Sequence, residues 1–163
     1  MSAMISHHAQ AILIARWAPT HGASPALQRL AERVINAQQD EIAIMQQWLR
    51  ERQLPVPEPD PRGMKTVHGG VEHVMLMPGM LTEDQLKQLD AARDKEFDRL
   101  FLRLMIHHHQ GAVSMVNDLF SSYGAGLDNT VFKVASDINA DQMTEIDRMQ
   151  LMLADLMFGP TSP

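Results

Sequence analysis

The sequence predicts an all-α fold: a four-helix bundle built from two helical hairpins that repeat one another. Three observations carry this. Met4-Ile5-Ser6-His7-His8-Ala9-Gln10-Ala11 matches Met105-Ile106-His107-His108-His109-Gln110-Gly111-Ala112 at Met, Ile, the last two His and the closing Ala. Gln38-x-x-Glu41-Ile42-x-x-Met45-x-x-Trp48 returns as Gln142-x-x-Glu145-Ile146-x-x-Met149-x-x-Met152. The 163 residues are 45% hydrophobic but only 5% aromatic, with 13 methionines, so the core is aliphatic and thioether-rich, which suits helices better than a sandwich. That length fits a single domain over 1–163.

The first helix is expected over 2–17, where Met4, His8, Ala11 and Ala15 recur at spacings of four, three and four. Its counterpart in the second half has about ten further residues ahead of Met105, among them Asp98, Phe101 and Leu102. The comparison predicts that residues before Met1 are missing, an export leader among them. Ser24-Pro25 is an N-cap with proline at the first helical position, opening a helix to 52. Its stripe reads Leu27, Leu30, Val34, Gln38, Glu41, Met45, Trp48, an apolar seam interrupted twice by polar residues. Residues 1–54 thus form the first hairpin.

Residues 55–80 read as a linker strap. Pro55, Pro57, Pro59 and Pro61 alternate, which predicts an extended polyproline-like course, and Met64, His68, His73, Met75, Met77 and Met80 follow. The second hairpin occupies 81–158. Thr82 with Gln85 is a capping box for a short helix, with a break near Arg93. The next helix is expected over 94–122, ending at Gly124-Ala125-Gly126. On its wheel Asp98, Met105, His109, Ala112 and Val116 fall within about 40° of one direction, His108 and Met115 share a shoulder, and His107 points away. Asp128 or Asn129 caps the last helix, which runs to 157 with the stripe Val131, Val134, Ile138, Gln142, Glu145, Met149, Met152, Leu156.

Several functions are excluded. A net charge of -6 without a basic cluster offers no footprint for nucleic acid. Without cysteine there is no disulfide, thiolate metal site or thiol nucleophile, and no Gly-x-Ser-x-Gly occurs. No apolar run is long enough to span a membrane, and no basic-then-apolar leader opens the chain. A di-iron or di-manganese oxidoreductase on a helical bundle draws on Glu-x-x-His, which this chain lacks. No enzymatic role is expected.

What remains is soft-metal chemistry. Thioether sulfur needs no deprotonation and prefers Cu(I) or Ag(I), and imidazole suits copper in either oxidation state. The candidate ligands are Met4, His7, His8, Met45, Met75, Met77, Met80, Met105, His108, His109, Met115 and Met149. Glu41, Glu145 and Asp98 are the carboxylates that would orient imidazoles. Antiparallel packing within each half would bring His8 to Glu41 and His109 to Glu145. Met75-Leu76-Met77-Pro78-Gly79-Met80 has no helical period and is read as a flexible soft-ion trap. The competing reading makes His–Glu a register-fixing layer and the methionines core filling or a surface for varied apolar partners in a non-metal interaction module.

Phe97-Asp98-x-x-Phe101-Leu102-x-x-Met105-Ile106-x-His108-His109-x-Gly111-Ala112, followed by Gln142-x-x-Glu145-Ile146-x-x-Met149, resembles the bacterial family called domain of unknown function 305. Met4-Ile5-x-His7-His8 and Gln38-x-x-Glu41-Ile42-x-x-Met45 supply a weaker first copy that lacks the leading Phe-Asp segment. The resemblance implies a ferritin-like four-helix bundle, usually exported, with some members linked to copper or silver binding and resistance. The expectation is therefore a periplasmic or extracellular protein that binds copper, as Cu(I) or Cu(II), or silver, for buffering, delivery or resistance. Its expected partners are the ion, a metal-handling protein and a second copy of the chain.

Overall fold

Side-chain caps set three helix starts in the computed structural model, which describes residues 1–159 apart from the side chains at 67, 68, 71 and 72. Helix α1 spans Ser2–Ala15 and α2 Pro25–Glu51. Ser24 Oγ accepts the Leu27 N–H at 3.3 Å, and Pro25 occupies the first turn of α2, where its missing N–H is harmless. Helix α3, Glu83–Ala91, opens on the expected capping box, Gln85 N–H to Thr82 Oγ1 at 3.3 Å and Thr82 N–H to Gln85 Oε1 at 2.8 Å. Helix α4 covers Asp94–Ser121 and α5 Asn129–Phe158. Asp128 Oδ1 caps α5 by accepting the N–H groups of Thr130 and Val131 at 2.9 and 3.0 Å.

The strap departs from expectation. Within it, β1 (Met64–His68) and β2 (Val71–Met75) pair antiparallel with Met64 opposite Met75 and His68 opposite Val71. The connection is Gly69-Gly70, both at positive φ (59° and 81°), the backbone a two-residue hairpin turn requires. The proline-rich stretch before it and residues 76–82 after it form neither helix nor strand. The fold is mostly helical, with five helices and one two-stranded sheet among the described residues.

Helix α1 packs along α2 and α4 along α5, while α1 meets α4 and α2 meets α5. Polar ties hold both ends. Asp94 N–H donates to His21 O at 2.8 Å, joining the α1–α2 turn to the start of α4. Trp48 Nε1–H donates to Asp128 at 3.2 Å and Arg52 pairs with the same carboxylate, joining the end of α2 to the start of α5.

The apolar core is divided. One cluster holds Leu27, Leu30, Phe97, Phe101, Met105 and Met149; the other holds Met4, Ile42, Met45, Val116, Val134 and Ile138. On every one of these four helices the residues between the two clusters are polar: His7 and His8, Gln38 and Glu41, His108 and His109, Gln142 and Glu145, all buried. The interrupted seams of the sequence meet in one layer.

Candidate metal centre

The layer is built on two carboxylate–imidazole pairs. His109 Nε2 lies 2.7 Å from Glu145 Oε2, and His8 Nε2 lies 2.6 Å from Glu41 Oε2. The second is a close N···O contact that is not aligned as a hydrogen bond, and both of its atoms lack a hydrogen-bond partner. Between the pairs, the rings of His7 and His108 approach to 3.9 Å between centroids, tilted by 39°. His7 Nε2–H donates to the Pro78 carbonyl at 3.0 Å.

These bonds leave much of the layer unpaired. Among the described residues, Nδ1 of His7, His8, His108 and His109 is buried with no hydrogen-bond partner, as are Nε2 of His8 and His108, Glu41 Oε2, both amide atoms of Gln38 and Gln142 Oε1. An unpaired buried polar atom costs about 1–3 kcal/mol. A layer that served only to fix helix register would bear that penalty several times over. The unpaired nitrogens could hold a metal ion: on His109, Nε2 is engaged by Glu145 and Nδ1 is left free, and a carboxylate on the far nitrogen raises imidazole basicity. No three His, Asp or Glu side chains converge as a ready-made metal site among the described residues.

Burial controls protonation here. It pushes His7 and His8 down to about 3, assisted by neighbouring imidazoles, and drives His108 well below its ordinary value. Burial, then the Glu145 carboxylate, pushes Glu41 up to about 7. His7, His8 and His108 are therefore neutral at pH 7, the state in which imidazole binds metal. The two residue types oppose each other in stability. Each histidine favours folding above its unfolded value of 6.5, and that contribution is lost as pH falls toward 3. Glu41 favours folding below 4.5, and its contribution is lost as pH rises through 7. Three histidines outweigh one glutamate. Urea unfolding of metal-free protein should show stability rising with pH to a plateau above about pH 7, with a slope approaching roughly 2–3 kcal/mol per pH unit near pH 5; a flat profile from pH 7 to 5 would contradict neutral buried imidazoles.

Methionines border the layer on both sides. Met4 precedes His8 by one turn and Met45 follows Glu41 by one, on the side of one apolar cluster; Met105 and Met149 stand in the same relation to His109 and Glu145 on the other. All four are buried. Met115, partly buried, lies two turns beyond His108. The strap methionines do not gather. Met75 is 48% exposed on the hairpin, whereas Met77 and Met80 are buried in a turn where Met77 N–H meets Met80 Sδ at 3.4 Å. The strap's His68 side chain lies outside the described residues.

Asp98 sits elsewhere. Its carboxylate accepts the Ser24 N–H at 3.1 and 3.2 Å, eleven residues or about 16 Å along α4 from His109. It secures the start of α2 against α4 rather than orienting an imidazole. Asp98→Ala should therefore lower stability by about 1.5–3 kcal/mol, the range for a hydrogen bond to a charged group, and leave metal affinity unchanged in a competition titration.

Residues not singled out by pattern complete the site. Gln10, fully buried, donates Nε2–H to Pro61 O (3.0 Å) and Leu81 O (3.1 Å) and accepts Leu81 N–H at 2.6 Å. It ties both ends of the strap to α1. At the matching position of the second repeat stands Gly111, where an added Cβ would fall 2.0 Å from Pro78 O. The turn from Met77 to Leu81 thus runs directly over the histidine layer.

The model of domain of unknown function 305 (DUF305) matches residues 1–153. A DUF305 protein from Streptomyces coelicolor, described as a candidate secreted protein, is 25% identical over 99% of this chain and 94% of its own, with a TM-score of 0.76. CopM in its Cu(II)-bound form is 31% identical over 94% of this chain and 93% of its own, TM-score 0.72. Other CopM structures are Cu(I)-bound or silver-bound. A DUF305 fragment from Deinococcus radiodurans is 28% identical over 93% of this chain and 90% of its own, TM-score 0.74. No curated protein matches. Because the family match runs through both repeats and the strap between them, the chain belongs to the DUF305 family.

Proposed function

We propose that this protein binds Cu(I) or Ag(I) as cargo, for buffering, delivery or resistance, in a four-helix bundle of ferritin-like type that works outside the cytoplasm. The observation that carries this reading is the pair of buried Nδ1 atoms on His8 and His109, each on a ring whose Nε2 lies beside a glutamate carboxylate, at 2.6 and 2.7 Å, and each one turn from a methionine. Nitrogen and thioether donors without a thiolate suit monovalent copper or silver. His7, His108, Met4, Met45, Met105 and Met149 are the further candidate ligands, Glu41 and Glu145 the orienting carboxylates. Exposed Met75 and partly buried Met115 are candidates for looser capture, and Met77 and Met80 for a ligand role if the strap moves. CopM, similar over nearly the whole chain, is known with Cu(I), Cu(II) and silver, which supports the reading. No helix among the described residues is long and apolar enough to cross a membrane, in keeping with an exported protein that hands its ion to a metal-handling partner.

An oxidoreductase is not favoured, since the layer contains only two carboxylates, Glu41 and Glu145. A non-metal interaction module draws support from Tyr123, Leu127 and Phe132, all exposed near the α4–α5 turn. Anaerobic titration of tag-free protein with Cu(I) against a coloured chelator separates the two. Wild-type protein should compete, and His8→Gln with His109→Gln should lose affinity by at least about tenfold, or 1.4 kcal/mol. Met75→Leu/Met77→Leu/Met80→Leu should lose less affinity than the histidine variant. No competition by folded wild-type protein would leave the interaction module as the better account.

A further inference from the structure

Gln10 and Gly111 occupy matching places in the two repeats, yet they meet the strap in opposite ways. Gln10 reaches out to it: both of its amide atoms are satisfied by strap backbone, at Pro61 O, Leu81 O and Leu81 N–H. Gly111 makes room for it, since a Cβ there would fall 2.0 Å from Pro78 O and 2.6 Å from Gly79 Cα. The turn seated between them delivers one group to the histidine layer, the Pro78 carbonyl, 3.0 Å from His7 Nε2. A carbonyl oxygen can only accept, so the proton of neutral His7 sits on Nε2 and the lone pair on Nδ1, which is buried and unpaired. His108, the matching residue of the second repeat, has its ring centroid 3.9 Å away, and neither of its nitrogens is bonded. Of the two, only His7 has its tautomer set by a hydrogen bond.

We propose that Gln10 is a positioning residue for the metal centre: by seating the strap it places the Pro78 carbonyl on His7 Nε2–H, and this makes strap closure and ion binding mutually dependent. The proposal rests on the Cu(I)/Ag(I) reading above and adds to it how the site is held shut. The coupling has a simple origin. A metal on Nδ1 draws electron density from the ring and strengthens Nε2–H as a donor, while a carbonyl on Nε2–H raises the basicity of Nδ1. Each event favours the other, by the same factor. All four histidines of the layer are buried, and the turn over them has no regular hydrogen-bond ladder, so it is the part of their cover that opens most readily.

The test is hydrogen exchange on the protein with and without Cu(I), under anaerobic conditions. Leu81 N–H, bonded to Gln10 Oε1, and Met80 N–H, bonded to Met77 O at 3.0 Å, report opening of the strap. Saturating Cu(I) should slow both by at least about tenfold, while Ala125 N–H in the α4–α5 turn, bonded to Ser122 O at 3.1 Å, should exchange as before. Gln10→Leu removes the clamp from the α1 side and Gly111→Ala lifts the turn from the α4 side. Each should lower Cu(I) affinity by about 10–100-fold, a fall that matches the slowing in wild-type protein. In both, the 15N signals of His7 should move from a single Nε2–H tautomer toward a mixture, a change that loss of packing alone would not produce. His7→Leu should still take Cu(I) on the remaining residues of the layer but lose the slowing at Leu81 N–H. Strap exchange unaffected by bound Cu(I), or wild-type affinity in folded Gln10→Leu protein, overturns the proposal and leaves the copper-binding reading intact. Failure of wild-type protein to take Cu(I) at all overturns both. Should Gln10→Leu not fold, exchange in wild-type protein decides the matter.

Discussion

His109→Leu will lower the stability of the metal-free protein by about 3–5 kcal/mol, the cost of removing one member of a buried pair. The loss is electrostatic in origin, because leucine matches the volume of the ring closely enough to limit any cavity. His109 is fully buried and Glu145 nearly so, and the imidazole is the only hydrogen-bond partner recorded for that carboxylate among the described residues. His109→Leu/Glu145→Leu should recover most of the loss, since a well-packed apolar pair is often as stable as the ion pair it replaces. A double-mutant cycle in urea gives the coupling directly. His8→Leu should cost less, because burial has already pushed Glu41 up to about 7 and protonation can relieve it. Equal losses at His8 and His109, or no recovery in the double variant, would show that packing rather than charge sets the cost.

The parts of this layer that the sequence disclosed are those governed by helical period. Gln38 and Glu41 break an apolar stripe at spacings only a helix aligns, and Gln142 and Glu145 break the equivalent stripe at the same places. A polar group repeated in a buried seam needs a buried partner, which pointed to His8 and His109. The strap resisted the same method. Its methionines lack a period, which suggested an exposed trap, yet Met77 and Met80 are buried because a turn packs by tertiary contact alone. The hairpin had a local signal, Gly69-Gly70 between runs containing Thr66, Val67, Val71 and Val74, that the alternating prolines upstream obscured. Asp98 shares the wheel direction of Met105, but axial distance places it at another layer. Angle on a wheel says nothing about height.

Gly111→Ala decides how firmly the strap is seated over that layer, because two effects of known sign compete. In an exposed helix interior, alanine in place of glycine stabilises by about 1 kcal/mol. Here the new Cβ would stand 2.0 Å from Pro78 O, 2.4 Å from Pro78 C and 2.6 Å from Gly79 Cα, all backbone atoms. Rotating a side chain cannot relieve such a clash. Nor can Gly79 yield easily, since it holds φ +78° and its own added Cβ would meet the α4 carbonyls of His107 and His108 at 2.7 and 2.9 Å. The turn must lift, breaking the His7–Pro78 hydrogen bond and straining the Gln10–Leu81 pair. Overpacking of this kind costs about 1–3 kcal/mol, so it outweighs the helix-propensity gain and the net change is a loss. Limited proteolysis should then cut within residues 54–80 sooner than in wild-type protein. A gain in thermal stability with unchanged proteolysis would mean that in solution the strap is not held against α4, and that the histidine layer is covered by the helices alone.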